Sequence, residues 1–184
     1  MLYLYFSLSS SQLFLSLGEN DKCLISIRKE NPRQHSENFL THLQQILVKV
    51  NYTLKEIKEI YFTSQPSGQT GLRVGLAFLA TCQALNPKIK IYHLNTLLLQ
   101  AGTNSCLSLL TINSQGNKYH AAVYQNKKCL LTSQIICQAE LEKITKKFPN
   151  FLILKDFKEV DFLVNFQKLK NDFVLLKKVE EINL

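Results

Sequence analysis

The sequence has 184 residues and a formal net charge of +8, from 22 Lys and Arg against 14 Asp and Glu, and 46% of it is hydrophobic. This length suffices for one domain or two small lobes with a core that needs no disulfide or metal. Apolar runs such as Leu2–Phe6 are far shorter than the roughly 18 residues of a membrane-spanning helix. The N-terminus has no basic segment or cleavage site, so we expect a cytoplasmic protein with no membrane partner.

The first half of the chain predicts three strands and then alternating helices and strands. Short apolar runs near residues 2–6, 13–17 and 23–28, separated by turn residues, predict an antiparallel meander. From Ser36 to Val50 the apolar residues recur with a 3.6-residue period, which predicts an amphipathic helix. A strand over 57–62, a helix over 70–85, a strand over 88–92 and a short helix over 96–100 follow.

The second half repeats this order. It predicts strands over 107–112, 119–124 and 128–132, a helix over 138–148, a strand over 151–154, a helix over 160–168 and a last strand over 173–176. A meander that runs into a βαβ unit, used twice, indicates an α/β actin-like (ASKHA) fold, in which a ribonuclease-H-like unit with a mixed sheet and flanking helices is duplicated. We predict an N-terminal lobe over residues 1–103 and a C-terminal lobe over residues 104–184.

The predicted helix over residues 70–85 is apolar on nearly every side, interrupted chiefly by Arg73, Thr81 and Gln83. Such a helix is either buried all round or covered by another subunit. One layer of helices in a lobe this small cannot cover it fully. The pattern therefore favours an oligomeric interface, with a purely intramolecular core as the alternative.

The positive charge is concentrated in the middle of the chain. Residues 60–139 contain no Asp or Glu but six basic residues: Arg73, Lys88, Lys90, Lys118, Lys127 and Lys128. A basic face of this kind fits RNA phosphates or an acidic protein partner. Compositional drift towards lysine is the alternative explanation.

The sequence lacks the groups that catalysis would need. An actin-like enzyme that transfers phosphate uses hairpin carboxylates to hold magnesium and to orient the attacking water. The hairpins predicted at residues 6–12 and 112–118 contain no acid, and His35 and His42 match no zinc motif. We therefore predict no catalytic residue, no metal and no cofactor, and no ATPase or protease activity of the chain alone.

The segment Thr63–Gly75 follows a predicted strand and opens a helix, where backbone N–H groups can hold an anion. It matches neither the P-loop nor GxGxxG. The structural alternative is that Gly68 and Gly71 permit a tight turn and Thr70 caps the helix.

Two segments together resemble the TsaB family, also called YeaZ, of tRNA threonylcarbamoyladenosine biosynthesis. The first is His35-Ser36-Glu37 before the amphipathic helix. The second matches the family's Gly-Pro-Gly-Ser-Phe-Thr-Gly-Leu-Arg-Ile-Gly at Pro66, Thr70, Gly71, Leu72, Arg73 and Gly75, and departs from it at Gln65, Ser67, Gly68 and Gln69. The resemblance covers about residues 1–101 and is thin afterwards, so the C-terminal lobe is expected to be reduced.

The resemblance implies an actin-like fold without catalytic equipment, a non-catalytic paralogue of TsaD. Members of the family pair with the TsaD-like catalytic subunit through two helices of the N-terminal lobe. With a TsaE-like ATPase, the complex adds threonylcarbamoyl to the adenosine next to the anticodon in tRNAs that read ANN codons. This chain would then be a scaffold and activator that meets tRNA through the complex.

The resemblance also gives residues their roles. The partner-binding helix faces are expected to include Phe39, Leu43, Ile46, Leu76, Leu79, Ala80 and Gln83. The residues that orient the loop and the helix starts are expected to be His35, Ser36, Glu37, Pro66, Thr70, Gly71, Leu72, Arg73 and Gly75.

Two alternatives remain at this stage. One is an enzyme, namely an actin-like phosphotransferase or a TsaD-like transferase that acts alone. The other is a free-standing RNA-binding homodimer that uses the basic middle of the chain. Homodimerisation of the isolated protein is also compatible with a TsaB-like accessory subunit, because an exposed apolar helix face can pair with itself.

Overall fold

The computed structural model describes residues 1–8, 12–30, 35–112 and 117–182, except for the side chains of residues 35–37. The chain forms two compact units. Unit 1 comprises Met1–Leu94 together with Phe173–Leu184, and unit 2 comprises Asn95–Asp172. Among the described residues, no helix is long and apolar enough to cross a bilayer.

Strands and helices alternate along most of the chain. In chain order they are β1 (Leu2–Leu8), β2 (Gln12–Glu19), β3 (Lys22–Glu30), α1 (His35–Lys49), β4 (Glu59–Thr63), α2 (Gln69–Leu85), β5 (Lys90–Leu94), α3 (Thr96–Ala101), β6 (Cys106–Thr111), β7 (Lys118–Gln125), β8 (Lys128–Cys137), α4 (Gln138–Lys147), β9 (Leu152–Lys155), α5 (Phe162–Leu169) and β10 (Val174–Leu176). Short 3₁₀ helices lie at Leu54–Glu56, Lys170–Asp172 and Val179–Glu181.

Unit 1 is built on a six-stranded mixed sheet in the order β10-β5-β4-β1-β2-β3. Strands β1, β2 and β3 form the antiparallel meander, and β4 lies parallel to both β1 and β5. Every residue of β1 is buried, as expected for a central strand that is covered on both faces. The edge strand β3 alternates between exposed and half-buried residues instead.

Helices α1 and α2 pack side by side on one face of this sheet. Alternate residues of the central strands, such as Phe6 and Phe62, point at this face, because side chains alternate along a strand. The ring of Phe39 from α1 lies 5.1 Å from that of Phe78 from α2, and both contact Phe6. This aromatic cluster joins the two helices to each other and to the sheet.

Unit 2 repeats the arrangement with a smaller sheet, in the order β8-β7-β6-β9. Strands β6 and β9 are parallel, and the other pairs are antiparallel. Helix α3 is followed by Gly102 at φ +59°, where a Cβ atom would lie 2.5 Å from Asn165 Oδ1. Glycine is required there for two reasons: its backbone is left-handed, and the α5 side chain that binds the end of α3 leaves no space.

The predicted fold class is confirmed. Each sheet contains the meander followed by a parallel strand, so the ribonuclease-H-like unit is duplicated, and the second copy is the smaller one. The helix predicted over residues 70–85 is α2, and the helix predicted from Ser36 is α1.

The division of the chain differs from the predicted lobes 1–103 and 104–184. The first segment of unit 1 ends at Leu94, before α3, and a second segment of unit 1 begins at Phe173. The reason is that β10 pairs with β5, with Val174 opposite His93. The ring of Phe173 also packs against Tyr61 at 5.4 Å and Tyr5 at 6.3 Å. The last predicted strand therefore completes the first sheet.

Candidate functional site

The carboxyl ends of the parallel strands β1, β4 and β5 meet at one edge of the unit 1 sheet, which is where open α/β sheets place their ligands. Thr63 Oγ1 donates a hydrogen bond of 2.7 Å to Ser7 Oγ. Ser64 Oγ donates to the carbonyl oxygen of Leu94 at 3.2 Å, and His93 Nδ1 lies 3.4 Å from Ser64 Oγ. The described ends of these three strands thus carry buried hydroxyls and a half-buried imidazole, and no Asp or Glu.

Neutral hydroxyls that bind one another are poor ligands for magnesium, which prefers carboxylates and phosphate oxygens. The described residues also contain no group of three or more His, Cys, Asp or Glu that could hold a metal ion. The hairpins predicted at residues 6–12 and 112–118 include residues 9–11 and 113–116, which lie outside the described part of the chain. Catalytic inactivity remains a prediction.

His93 is the titratable group at this edge. Partial burial lowers the pKa of its imidazole, and the nearby charge of Glu181 opposes this effect. The folded protein therefore binds a proton at His93 less readily than the unfolded chain, in which the pKa is about 6.5. The stability that depends on the neutral imidazole is present above that pH and is lost as the pH falls below it.

We expect the urea concentration at the midpoint of unfolding to decrease as the pH is lowered from about 7.5 to about 5.5. This decrease should be smaller in a His93→Gln variant. His120 in unit 2 provides the comparison, because burial lowers its pKa as well. The double variant with His120→Gln should be the least sensitive to pH over this range. If His93→Gln unfolds with the full pH dependence of the parent, the imidazole does not contribute in this way.

The motif around Gly71 positions the start of α2 against the sheet. Gly68 is the N-cap of α2 and makes no side-chain capping bond, so the suggestion that Thr70 caps the helix is wrong: Thr70 lies inside the first turn and is exposed. A Cβ atom on Gly71 would lie 2.6 Å from the carbonyl oxygen of Leu8, and one on Gly75 would lie 3.2 Å from the ring of Phe6. The two glycines let α2 lie directly on β1.

The other motif residues divide between core and surface. Pro66 and Leu72 are buried, whereas Arg73 is exposed on α2. His35, Ser36 and Glu37 form the first turn of α1, where only the backbone is described. Most of the second motif segment therefore packs the helix onto the strand, and Arg73 is the charged residue that it presents to solvent.

Most residues predicted to bind a partner are in fact core residues. Five of the seven are at most 9% exposed: Phe39, Leu43, Ile46, Leu76 and Leu79. All five belong to the core that packs the helices onto the sheet, and their contact with a partner stays a prediction. The periodic apolar stripe that singled them out is the face that each helix turns to its own core.

Ala80 is exposed and Gln83 is partly so, and both are reached from solvent. Gln83 Nε2 donates to the carbonyl oxygen of Lys177 at 3.0 Å, which ties the segment after β10 to α2. Val179 of this segment is buried, and with Ile182 it lines a groove of about 460 Å³ along α2 that includes Leu76, Ala77 and Ala80.

The outward faces of α1 and α2 carry exposed apolar residues, of which the sequence analysis assigned only Ala80 to a partner-binding face. Leu40 is 60% exposed and Val48 is 72% exposed on α1. Ala77, Ala80 and Ala84 are exposed on the neighbouring helix α2. We call these five residues the outer helix surface. Leu40 belongs to the apolar repeat of α1 and Val48 lies off it, so periodicity alone does not separate these exposed positions from the core ones.

The basic residues of the central segment do not share one unit. Arg73, Lys88 and Lys90 belong to unit 1, whereas Lys118, Lys127 and Lys128 belong to unit 2. Lys127 also forms an ion pair with Asp172, with 2.7 Å between Nζ and Oδ2. An RNA-binding face remains a prediction.

The fold and the described strand ends together define the class: this is an actin-like protein in which hydroxyls stand at the strand ends where a phosphate-transferring member would need carboxylates. A comparison with known families assigns the chain to a particular family within this class. The family model described as TsaD, tRNA N6-adenosine threonylcarbamoyltransferase, matches residues 28–163, and the chain belongs to this family.

The solved structures to which the chain is similar include two from Pseudomonas aeruginosa. One is YeaZ, at 15% identity and a TM-score of 0.59. The other, at 14% identity and a TM-score of 0.60, is described as an uncharacterized protein with similarity to peptidase YeaZ. Each match covers 74% of this chain and 66% of the other. The predicted YeaZ-like fold is therefore confirmed.

A curated relative from Mycoplasma pneumoniae, the uncharacterized protein MG208 homolog, is 24% identical over 136 residues. That match covers 70% of this chain and 66% of the relative. The chain thus spans slightly less than two thirds of the length of the proteins it matches.

Proposed function

We propose that this chain takes part in tRNA threonylcarbamoyl modification as a non-catalytic subunit, and that it docks onto a TsaD-like catalytic subunit through the outer helix surface. The observation that carries the proposal is that Leu40 and Val48 on α1 and three alanines on the neighbouring helix α2 are exposed. Exposed apolar surface on adjacent elements is where interaction sites are found. Membership of the TsaD family supplies the reaction.

The chemistry of the docking surface suits a partner helix. Ala77, Ala80 and Ala84 recur on one side of α2, and their small side chains would let a helix of the partner approach closely. Leu40 and Val48 on α1 would then cover the sides of that helix. A TsaE-like ATPase and tRNA would meet the assembled complex.

The non-catalytic role is supported by the strand ends of unit 1. Phosphoryl transfer depends on metal-bound phosphates and on a residue that positions the nucleophile. The hydroxyls of Ser7 and Thr63 are instead bound to each other in the interior. This observation favours the accessory subunit over the actin-like phosphotransferase. The RNA-binding homodimer is less well supported, because Lys127, one of the six basic residues, is already paired with Asp172.

The first test is co-purification with the TsaD-family subunit of the same cell, followed by a tRNA threonylcarbamoylation assay with each protein alone and with both. Ala80→Glu should abolish co-elution and reduce modification to the level of the catalytic subunit alone, because it places a charge in the centre of an apolar interface. Leu76→Asp is unsuitable as a test, since Leu76 is 9% exposed and contributes to the core.

Ala139→Glu is the matched control, because Ala139 is an exposed alanine in the first turn of α4 in unit 2. This variant should assemble and support modification like the parent. The proposal is wrong if Ala80→Glu still co-elutes, or if this chain alone turns over ATP or modifies tRNA.

A further inference from the structure

A second apolar feature of unit 1 lies where α2 ends. It is a pocket of about 400 Å³ lined by Leu54, Lys55, Cys82, Leu85, Asn86 and Ile89. Its volume lies within the range of about 300–1,000 Å³ that is usual for binding pockets. None of its lining residues belongs to the outer helix surface, and none lies at the strand ends with Ser7 and Thr63.

The wall of the pocket is apolar, and part of this apolar wall is open to solvent. Cys82 and Ile89 are buried, and burial raises the pKa of the Cys82 thiol to about 11, so the thiol stays neutral. Leu85 is 76% exposed at the last residue of α2. A leucine in this position has apolar contacts on the pocket side and water on the other, and an added apolar group would cover it.

The polar groups that line the pocket or adjoin its lining in the sequence are donors and positive charges. Lys55 lines the pocket, and Lys88 directly precedes Ile89. Asn86 Oδ1 accepts a hydrogen bond of 3.2 Å from the backbone N–H of Lys88, so this side chain offers its amide N–H groups. Neither lysine forms an ion pair within the described residues.

The carboxylates closest in sequence already have partners. Glu56 Oε2 accepts from both the backbone N–H and the Oγ1 of Thr53, at 2.8 Å each. Glu59 is buried and accepts a hydrogen bond from Tyr61 Oη at 2.9 Å. Ile60 points to the face of the sheet that α1 and α2 cover, so Glu59 and Tyr61, on either side of it in β4, point to the opposite face. Glu56 keeps its negative charge but is held on Thr53 of its own turn, and the exposed Lys55, Lys58 and Lys88 outnumber it in these segments, so a bound group with acceptors or negative charge is favoured.

We propose that this pocket receives an apolar side chain from an acidic segment of a partner protein. The apolar wall selects an aliphatic or aromatic side chain, and the lysines select carboxylates beside it, because complementary charge sets the specificity of association. A second copy of this chain is disfavoured, since it would bring the same lysines together. The proposal is separate from the proposed function, because it uses none of the outer helix surface.

The probe is a fluorescein-labelled helical peptide with leucines on two successive turns and glutamates beside them, and the readout is fluorescence anisotropy. Two control peptides replace the glutamates by lysine or the leucines by serine. The acidic leucine peptide should bind at low salt and lose affinity as salt rises, and each control should bind at least about tenfold more weakly.

The protein variants test the location. Lys55→Glu combined with Lys88→Glu should weaken peptide binding at least about tenfold, and Leu85→Ser should weaken it as well. All three residues are exposed or at the rim, so these variants should fold. The matched control is Lys22→Glu with Lys29→Glu, which makes the same change in net charge at two exposed positions of β3, away from the pocket lining.

The proposal is overturned if the lysine peptide binds as well as the acidic one, or if the two double variants weaken binding equally. It is also overturned if octanoate binds and competes at the pocket while no peptide does, since the occupant would then be a small amphiphile. Failure of Ala80→Glu to disrupt the complex would bear only on the proposed function.

Discussion

A Gln100→Leu variant is expected to destabilise unit 2 strongly. Gln100 is fully buried in α3, and the two N–H groups of its Nε2 are shared among Ser108 Oγ at 2.8 Å and the carbonyl oxygens of Leu109 and Leu154 at 3.0 Å each. Its Oε1 accepts from the backbone N–H of Phe157 at 2.6 Å. One side chain thereby joins α3 to β6, to β9 and to the residue Phe157 that follows β9.

Leucine has a similar volume and removes all of these bonds. The Leu109 carbonyl still accepts from the Asp156 N–H and Ser108 Oγ still donates to Leu97, whereas the Leu154 carbonyl and the Phe157 N–H lose the bonds that Gln100 makes. A buried group that loses its bond costs about 1–3 kcal/mol, and the expected loss for these two is therefore at least about 2 kcal/mol. The free energy of unfolding from urea titration is the measurement, and amide hydrogen exchange in β6 and β9 shows where the loss falls. Gln134→Leu, at an exposed position of β8, should change stability by less than about 0.5 kcal/mol. An equal effect of the two variants would show that the network around Gln100 contributes nothing special.

Gly71→Ala is expected to displace or partly unfold the start of α2. The added Cβ would lie 2.6 Å from the carbonyl oxygen of Leu8, which is a backbone atom in a central strand and cannot move aside easily. Alanine would otherwise improve the helix by about 1 kcal/mol. We expect a net loss of at least about 2 kcal/mol, since overpacking in a tight contact costs about 1–3 kcal/mol and a backbone contact is at the severe end.

Gly75→Ala is the matched comparison, because it is the same change one turn later in the same helix. Its Cβ would lie 3.2 Å from the ring of Phe6, which can shift, so the gain in helix propensity should offset most of the contact. Urea unfolding of both variants should separate them clearly. If Gly71→Ala is as stable as Gly75→Ala, the close approach of α2 to β1 is not needed for the fold.

Local periodicity was sufficient to predict most of the fold. The alternation of turn residues and apolar runs predicted the meanders, and the 3.6-residue repeat predicted α1. The place of β10 was not predictable in this way, because its partner β5 is about 80 residues away in the sequence and a three-residue strand has no distinctive pattern. Pairing over that distance is decided by packing, here by Phe173 on Tyr5 and Tyr61.

The site was predicted less completely, for related reasons. An apolar stripe such as Phe39, Leu43 and Ile46 shows that a helix is covered, but the sequence does not show whether its own sheet or a partner covers it. The role of Gln100 was also hidden, because one glutamine at the end of an apolar run resembles a surface residue. Gly71 was identified through its motif, and the structure supplied the physical reason in the carbonyl group of Leu8.

The route of the chain through unit 1 makes unit 2 an insertion. The chain leaves unit 1 after Leu94 and re-enters at Phe173, and these two points adjoin the antiparallel neighbours β5 and β10, where His93 stands opposite Val174. The ends that an excised unit 2 would leave behind are therefore those of a β-hairpin, which a tight turn of a few residues can join. Evolution could enlarge, shrink or exchange the inserted unit at this junction without disturbing the six-stranded sheet, so differences in overall length among relatives need not alter the helices on which assembly is proposed to depend.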